Sequence, residues 1–173
     1  FGIQLKTFGY EVSPDEARRI INIYRDANHK ISKGWRDANY MVQQLANNRA
    51  VRFGRKGIIQ VDAANQALIV PSGLSIFYDQ LYGEQAEKGL EYSYKTRRGR
   101  TKIYGGKVIE NVCQAIARCI IGEQMLSISK KYQVVLTVHD SIVCCVPDAE
   151  VAEAQAFVES CMRWTPDWAE GLP

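Results

Sequence analysis

The spacing of apolar positions changes several times along the chain. Ser13-Pro14-Asp15-Glu16 carries a helix-start signature: Ser13 can cap, Pro14 fits the first helical position and Glu16 completes a capping box. Ala17, Ile20, Ile21 and Tyr24 then recur at helical spacing. A second helix is predicted from His29 to about Asn48, with Ile31, Trp35, Ala38, Val42 and Leu45 on its inner face. From 51 to 82 the pattern shortens to strands punctuated by Gly54 and Gly57. Within it, Leu68-Ile69-Val70 and Ile76-Phe77-Tyr78 are predicted to pair about a Pro71-Ser72-Gly73 turn. Residues 83–90 read as loop, and residues 90–104 as a second hairpin turning near Gly99.

The longest helical pattern runs from Lys107 to about Ser129. Ile109, Val112, Cys113, Ile116 and Ile120 form its apolar stripe, and Lys107, Asn111, Gln114 and Arg118 a polar one. Next comes "VVLTVHDSIVCCVP" (134–147), predicted as a hairpin of strands 134–138 and 142–146 with His139-Asp140 at its tip. Strands apolar at nearly every position are usually covered on both faces. A carboxylate beside such a core costs free energy unless something pairs with it. A divalent cation is a natural partner, since Mg²⁺ takes one or two carboxylates together with phosphate oxygens and water. The plain alternative is a turn with a polar Asp and a capping His. A last amphipathic helix is predicted from Pro147-Asp148 to about Arg163.

Charge sharpens one region of this picture. The net charge of +3 in 173 residues is too small to imply a nucleic-acid partner. Its distribution says more: Lys95, Arg97, Arg98, Arg100, Lys102 and Lys107 follow one another with no acid from Tyr92 to Ile109, and Tyr92, Tyr94 and Tyr104 are interleaved. Such a hairpin suits a phosphate backbone, whose condensed counterions each contact releases. It equally suits a charged edge that resists aggregation. No apolar run approaches the roughly 18 residues of a membrane span, and FGIQLKTFGY lacks the regions of a signal peptide. Five cysteines without CxxC, beside two histidines, offer no zinc-finger spacing and read as reduced core residues of a cytosolic protein. An opening Phe1-Gly2 without Met suggests a piece of something longer.

"YGGKVIENVCQAIA" (104–117), followed some two dozen residues later by "VHDS" (138–141), resembles the C-terminal palm of family A DNA polymerases, the phage-type branch in particular. "VPSGLSIFY" (70–78), "IYRDANHKI" (23–31) and the closing "WAEGLP" (168–173) resemble the same branch. The resemblance implies an α+β fold: an antiparallel palm sheet with packed helices (residues 51–173), preceded by a helical segment of the fingers (residues 1–50). It implies Mg²⁺-dependent nucleotidyl transfer, with template-primer DNA and deoxynucleoside triphosphates as partners, no membrane, and a cytoplasmic location in a bacterial host or from a prophage. Asp140 then matches one of two catalytic metal-binding aspartates, and His139 lies beside the primer terminus. Gln114 matches a glutamine that touches the duplex minor groove. Arg100 and Lys107 fall where relatives contact the duplex backbone, and Arg97 and Arg98 join them as DNA-binding candidates.

The sequence departs from that family in three places. Ser141 stands where the family usually has Glu, and Glu110 where other members have asparagine. The first polymerase motif and the nucleotide-binding helix are absent and would precede residue 1, so the chain is expected to be inactive alone. Two rival readings come from the residues themselves. One is a non-catalytic nucleic-acid-binding module built on the basic hairpin. The other is a metal-dependent nuclease using Asp140 with other acids.

Overall fold

The computed structural model describes residues 2–87 and 89–171; residue 1, residue 88 of the predicted loop and residues 172 and 173 of the closing segment lie outside them. A short helix α1 (Gly2–Thr7) precedes α2 (Pro14–Ala27). The Ser13 hydroxyl accepts the Glu16 amide at 3.1 Å, as predicted. The Glu16 carboxylate does not return to close the box. It takes two hydrogen bonds from Arg19, at 2.8 and 3.0 Å, because a guanidinium one turn on offers two charged donors in a matching fork.

Helix α3 (His29–Ala46) buries Ala38, Met41, Val42 and Leu45. Of the predicted inner face, Ile31 is exposed and Trp35 only half-buried. The core lies against the C-terminal half of the helix, so the apolar stripe of its first half outruns what covers it.

Strands β1 (Gln60–Asp62), β2 (Ala67–Ile69) and β3 (Ser75–Phe77) form an antiparallel meander. Strands β4 (Tyr82–Ala86), β5 (Gly89–Thr96) and β6 (Gly99–Ile103) form a second. The predicted loop at 83–90 is therefore mostly strand. Its five-residue start, Tyr-Gly-Glu-Gln-Ala, lacks apolar alternation because it is an edge strand whose side chains are mostly in water. Helix α4 (Gly105–Ile128) leaves β6 directly, β7 (Gln133–Val138) and β8 (Ser141–Cys145) make a two-stranded sheet, and α5 (Val151–Met162) closes the order. The described residues thus form an α+β fold of five helices and three small antiparallel sheets.

One hydrophobic cluster joins these elements. Leu45 of α3, Leu68 of β2, Val70, Tyr78, Ile103 of β6 and Val108 of α4 are all at most 3% exposed. Burying each such side chain contributes about 1.5–3 kcal/mol. Helix α4 is the hub. Its first turn docks on α3, where the buried Gly105 amide donates to Asn39 Oδ1 at 2.6 Å. Near its other end, the buried Gln124 side chain donates to the carbonyls of Met162 and Trp164, at 2.7 and 2.9 Å, and fastens the segment after α5. The cysteines are free, but only Cys119 is fully buried; Cys113 and Cys145 are exposed. The stripe drawn through Cys113 is too wide, since the packed face of α4 runs through Val108, Val112, Cys119 and Ile120. No helix of the described residues is long and apolar enough to cross a membrane.

Candidate functional site

Strands β7 and β8 pair from Gln133↔Cys145 to Val138↔Ser141, which leaves His139-Asp140 as a two-residue turn. The two predicted strands and the predicted tip are thus in place. A two-residue turn between strands favours positive φ, usually supplied by Gly or Asn. Here His139 takes φ +52°. Asn48, Lys56, Gln66 and Gln80 take the same conformation, so at His139 it reflects the geometry of the tight turn. The pairing slips by one residue between Val134 and Leu136, a β-bulge at Val135 that bends the strand and increases its twist.

The hairpin is not covered on both faces. Val134, Thr137, Ile142 and Cys144 are half-buried, whereas Leu136, Val138, Ser141 and Val143 are exposed. A sheet of two strands packed from one side leaves its other face bare, and apolar composition alone does not reveal which layers are present. His139 and Asp140 are exposed at the tip. Neither side chain forms an ion pair with a described residue.

The donor set bears on the metal expected from the sequence. Asp140 is one accessible carboxylate. Among the described residues no three of His, Cys, Asp and Glu gather to hold an ion. Asp140 therefore fits as a single ligand of a divalent cation, and the described residues do not complete a site.

The polar face of α4 divides. Lys107 Nζ lies 2.9 and 3.0 Å from the two Glu110 oxygens, and this pairing holds the lysine above its usual pKa. Gln114 Nε2 donates to Glu110 Oε1 at 3.3 Å, so the three side chains form one exposed chain. Asn111 does not join them. Its Nδ2 donates inward to the Tyr78 hydroxyl at 3.2 Å. Arg118 is exposed further along.

The basic hairpin β5–β6 also divides. Thr96↔Gly99 is its last pair, so Arg97 and Arg98 are the turn, both exposed and in no ion pair with a described residue. Thr96 Oγ1 fixes the turn by donating to the Gly99 carbonyl at 2.8 Å and accepting the Arg98 amide at 3.3 Å. Arg100 is held from within. Its guanidinium donates to Ser93 Oγ, the Ser93 carbonyl and the Gln80 carbonyl at 3.1, 2.7 and 2.8 Å, and lies 4.1 Å above the Tyr82 ring centre. Lys102 pairs with Glu91, which raises its pKa. Of the basic run, Lys95, Arg97 and Arg98 are exposed, in no ion pair with a described residue, and most available to a partner.

The predicted residues thus fall in two groups joined by α4. The basic hairpin feeds its N-terminus, next to Lys107 and Gln114, and β7 carries the His139-Asp140 turn. No hydrogen bond or ion pair among the described residues links Asp140 to Gln114. The chain is similar to a DNA polymerase of Bacillus phage SP02, with 28% identity over 183 aligned positions that cover 99% of this chain and 28% of the phage protein. It therefore spans little more than a quarter of that relative's length. No family model and no solved structure matches the chain.

Proposed function

We propose that this chain belongs to a phage-type family A DNA polymerase and that its β7–β8 turn is one half of a two-carboxylate catalytic site. The observation that carries this reading is Asp140 itself: an exposed, unpaired carboxylate fixed at the tip of a paired, bulged hairpin. Similarity of 99% of this chain to a stretch covering 28% of a phage DNA polymerase supports it. A second carboxylate, from polymerase sequence outside this stretch, would complete the site. Mg²⁺ held there would supply charge stabilisation at the attacking 3′-oxygen and the leaving pyrophosphate. Residues 1–50 would then belong to the fingers and 51–173 to the palm.

The chain's own residues do the positioning. Asp140 contributes one charged oxygen ligand. His139 lies next to it, on the side where the primer end would arrive. Gln114 reaches for the duplex minor groove, with Glu110 and Lys107 as its neighbours. Arg97 and Arg98 track the phosphate backbone of template-primer DNA. Arg100 acts on that contact through the shape of its hairpin.

In the intact polymerase, Asp140→Asn should abolish incorporation while leaving DNA binding nearly intact. The amide removes one unit of charge from the metal shell, and a lost contact of about 4 kcal/mol is already a thousandfold in rate. Wild-type turnover by this variant in metal-controlled primer extension would overturn the assignment. Ser141 is on the exposed face, so Ser141→Glu, which restores the residue usual in the family, should leave stability within about 0.5 kcal/mol and preserve or raise activity. The alternative, a nucleic-acid-binding module without catalysis, is favoured by the free Arg97-Arg98 turn. Gel-shift binding that needs no metal, with no extension by the wild-type polymerase, would select it.

A further inference from the structure

Lys107, Glu110 and Gln114 stand in line along one side of α4, since their spacing of three and then four residues follows the helical turn. Glu110 and Gln114 are exposed, and Lys107 is half-buried. The Glu110 carboxylate is engaged on both oxygens. Lys107 Nζ lies 2.9 Å from Oε2 and 3.0 Å from Oε1, and Oε1 also accepts from Gln114 Nε2 at 3.3 Å. Asn111 turns inward to the Tyr78 hydroxyl, so Gln114 is the outward amide of this polar stripe. Exposed pairs of this kind contribute little to stability. What this one changes is orientation and charge.

Donor chemistry fixes the amide. An ionised carboxylate only accepts, whereas a glutamine amide carries two N–H donors at one end and an acceptor oxygen at the other. Turned end for end, Gln114 would set its oxygen against a carboxylate oxygen, with lone pairs facing each other. Glu110 therefore admits one orientation: the nitrogen toward it, with the second N–H and Oε1 left for a ligand. In the minor groove of a duplex every base pair presents an acceptor, purine N3 or pyrimidine O2. An N–H held ready there meets a partner whatever the sequence. An uncancelled carboxylate on the same face would repel phosphates, and the Lys107 ammonium cancels it locally.

We propose that Glu110 is a positioning residue: with its charge cancelled by Lys107, it locks the Gln114 amide so that one N–H is free for the minor groove of the template-primer duplex. Lys107 is then the counter-ion of Glu110 and not a contact to phosphate. The lock follows from α4 alone; the duplex as its ligand rests on the function proposed above.

Single-turnover primer extension by the intact polymerase tests this, on duplexes with adenine or 3-deazaadenine at each pair behind the primer end. The analogue lacks the N3 acceptor. Wild type should lose about tenfold in rate at one pair, the worth of one hydrogen bond. Gln114→Ala should lose as much on adenine and be indifferent to the analogue. Glu110→Ala and Glu110→Gln keep Gln114 but release it, since neither replacement dictates its orientation, and the analogue should cost them about threefold or less. Lys107→Ala leaves the carboxylate uncancelled and should weaken duplex binding about fivefold, whereas Lys107→Ala with Glu110→Ala should recover it to within about twofold of wild type. A lysine that contacts phosphate gives no such recovery. Melting temperatures should stay within about 2 °C throughout, as for other surface substitutions. An undiminished analogue cost in Glu110→Ala, or a double variant no better than Lys107→Ala, overturns the proposal. No analogue cost in wild type removes Gln114 from the minor groove and the proposal with it, while an inactive Asp140→Asn still upholds the polymerase reading. A wild type that extends no primer overturns both.

Discussion

The Gly105 amide donates to the Asn39 side-chain oxygen at 2.6 Å and ties the first turn of α4 to α3 across 66 residues of chain. The helices are in backbone contact there. A Cβ on Gly105 would lie 2.0 Å from the Trp35 carbonyl oxygen and 2.9 Å from the Asn39 amide nitrogen. Neither atom can rotate away, so Gly105→Ala must push the core helices α3 and α4 apart. It should cost about 3 kcal/mol or more, at the upper end for overpacked cores. Asn39→Ala keeps the close approach but leaves the buried amide without its acceptor, for about 1–3 kcal/mol. Urea unfolding of both variants checks this, with Gly105→Ala the more damaging. The opposite order would mean that the hydrogen bond, not the close approach, holds the junction.

The turn at the end of β7 holds a histidine where glycine would be relaxed. With φ at +52°, His139 carries roughly 1 kcal/mol of conformational strain. His139→Gly should therefore raise thermal stability or leave it unchanged, and should lower primer extension if the imidazole acts beside the primer end. A stability gain with activity lost is the signature of strain retained for function. His139→Gly that destabilises by more than about 1 kcal/mol would show that the side chain is held by contacts and is not strained.

The basic hairpin separates contact from support. Arg97→Ala with Arg98→Ala should weaken duplex DNA binding equally across sequences and reduce the salt slope by roughly 0.9 per phosphate lost, with little change in melting temperature. Arg100→Ala should do the reverse in proportion. It leaves the buried Ser93 carbonyl without this donor and uncovers Tyr82, which should cost about 1 kcal/mol or more of stability. Melting curves beside gel shifts at two salt concentrations tell the two kinds of loss apart. A salt slope unchanged in the Arg97, Arg98 pair would remove them from the DNA-contacting surface.

The His139-Asp140 hairpin was legible because two apolar runs broken by a short polar insert have few other ways to fold. Its bare face was not. Burial depends on which layers come to cover a strand, and Leu136, Val138 and Val143 look the same in sequence whether covered or exposed. The strand β4 was hidden for a related reason: Gly83 occurs within it, where a side chain would strike the Tyr92 ring at 2.7 Å. A glycine chosen for a neighbour nine residues later reads as a loop residue. The polar stripe of α4 misled at one point, because Asn111 answers to a tyrosine 33 residues earlier. Arg100 was counted with its basic neighbours because composition does not show where a guanidinium is aimed.

Tyr78 should give the fold an alkaline limit. Its ring is almost fully buried, edge-on to Tyr94 at 5.2 Å, and its hydroxyl accepts from Asn111. Burial raises the phenol pKa above its ordinary 10.0, only partly offset by the Asn111 hydrogen bond. Below about pH 10 the phenol is protonated in folded and unfolded chains alike, and the contribution is complete. Above it the unfolded chain releases this proton first, so it binds fewer protons than the folded one and stability falls as pH rises toward the folded pKa. Tyr92 is shifted in the same direction by burial, which makes Tyr78→Phe the needed control. That variant should lose roughly 1 kcal/mol near neutral pH, through the unpaired Asn111 amide, yet fall off less steeply than wild type from about pH 9 to 11. Denaturation midpoints across that range measure it. Parallel curves for wild type and Tyr78→Phe would show that this phenol does not set the alkaline limit.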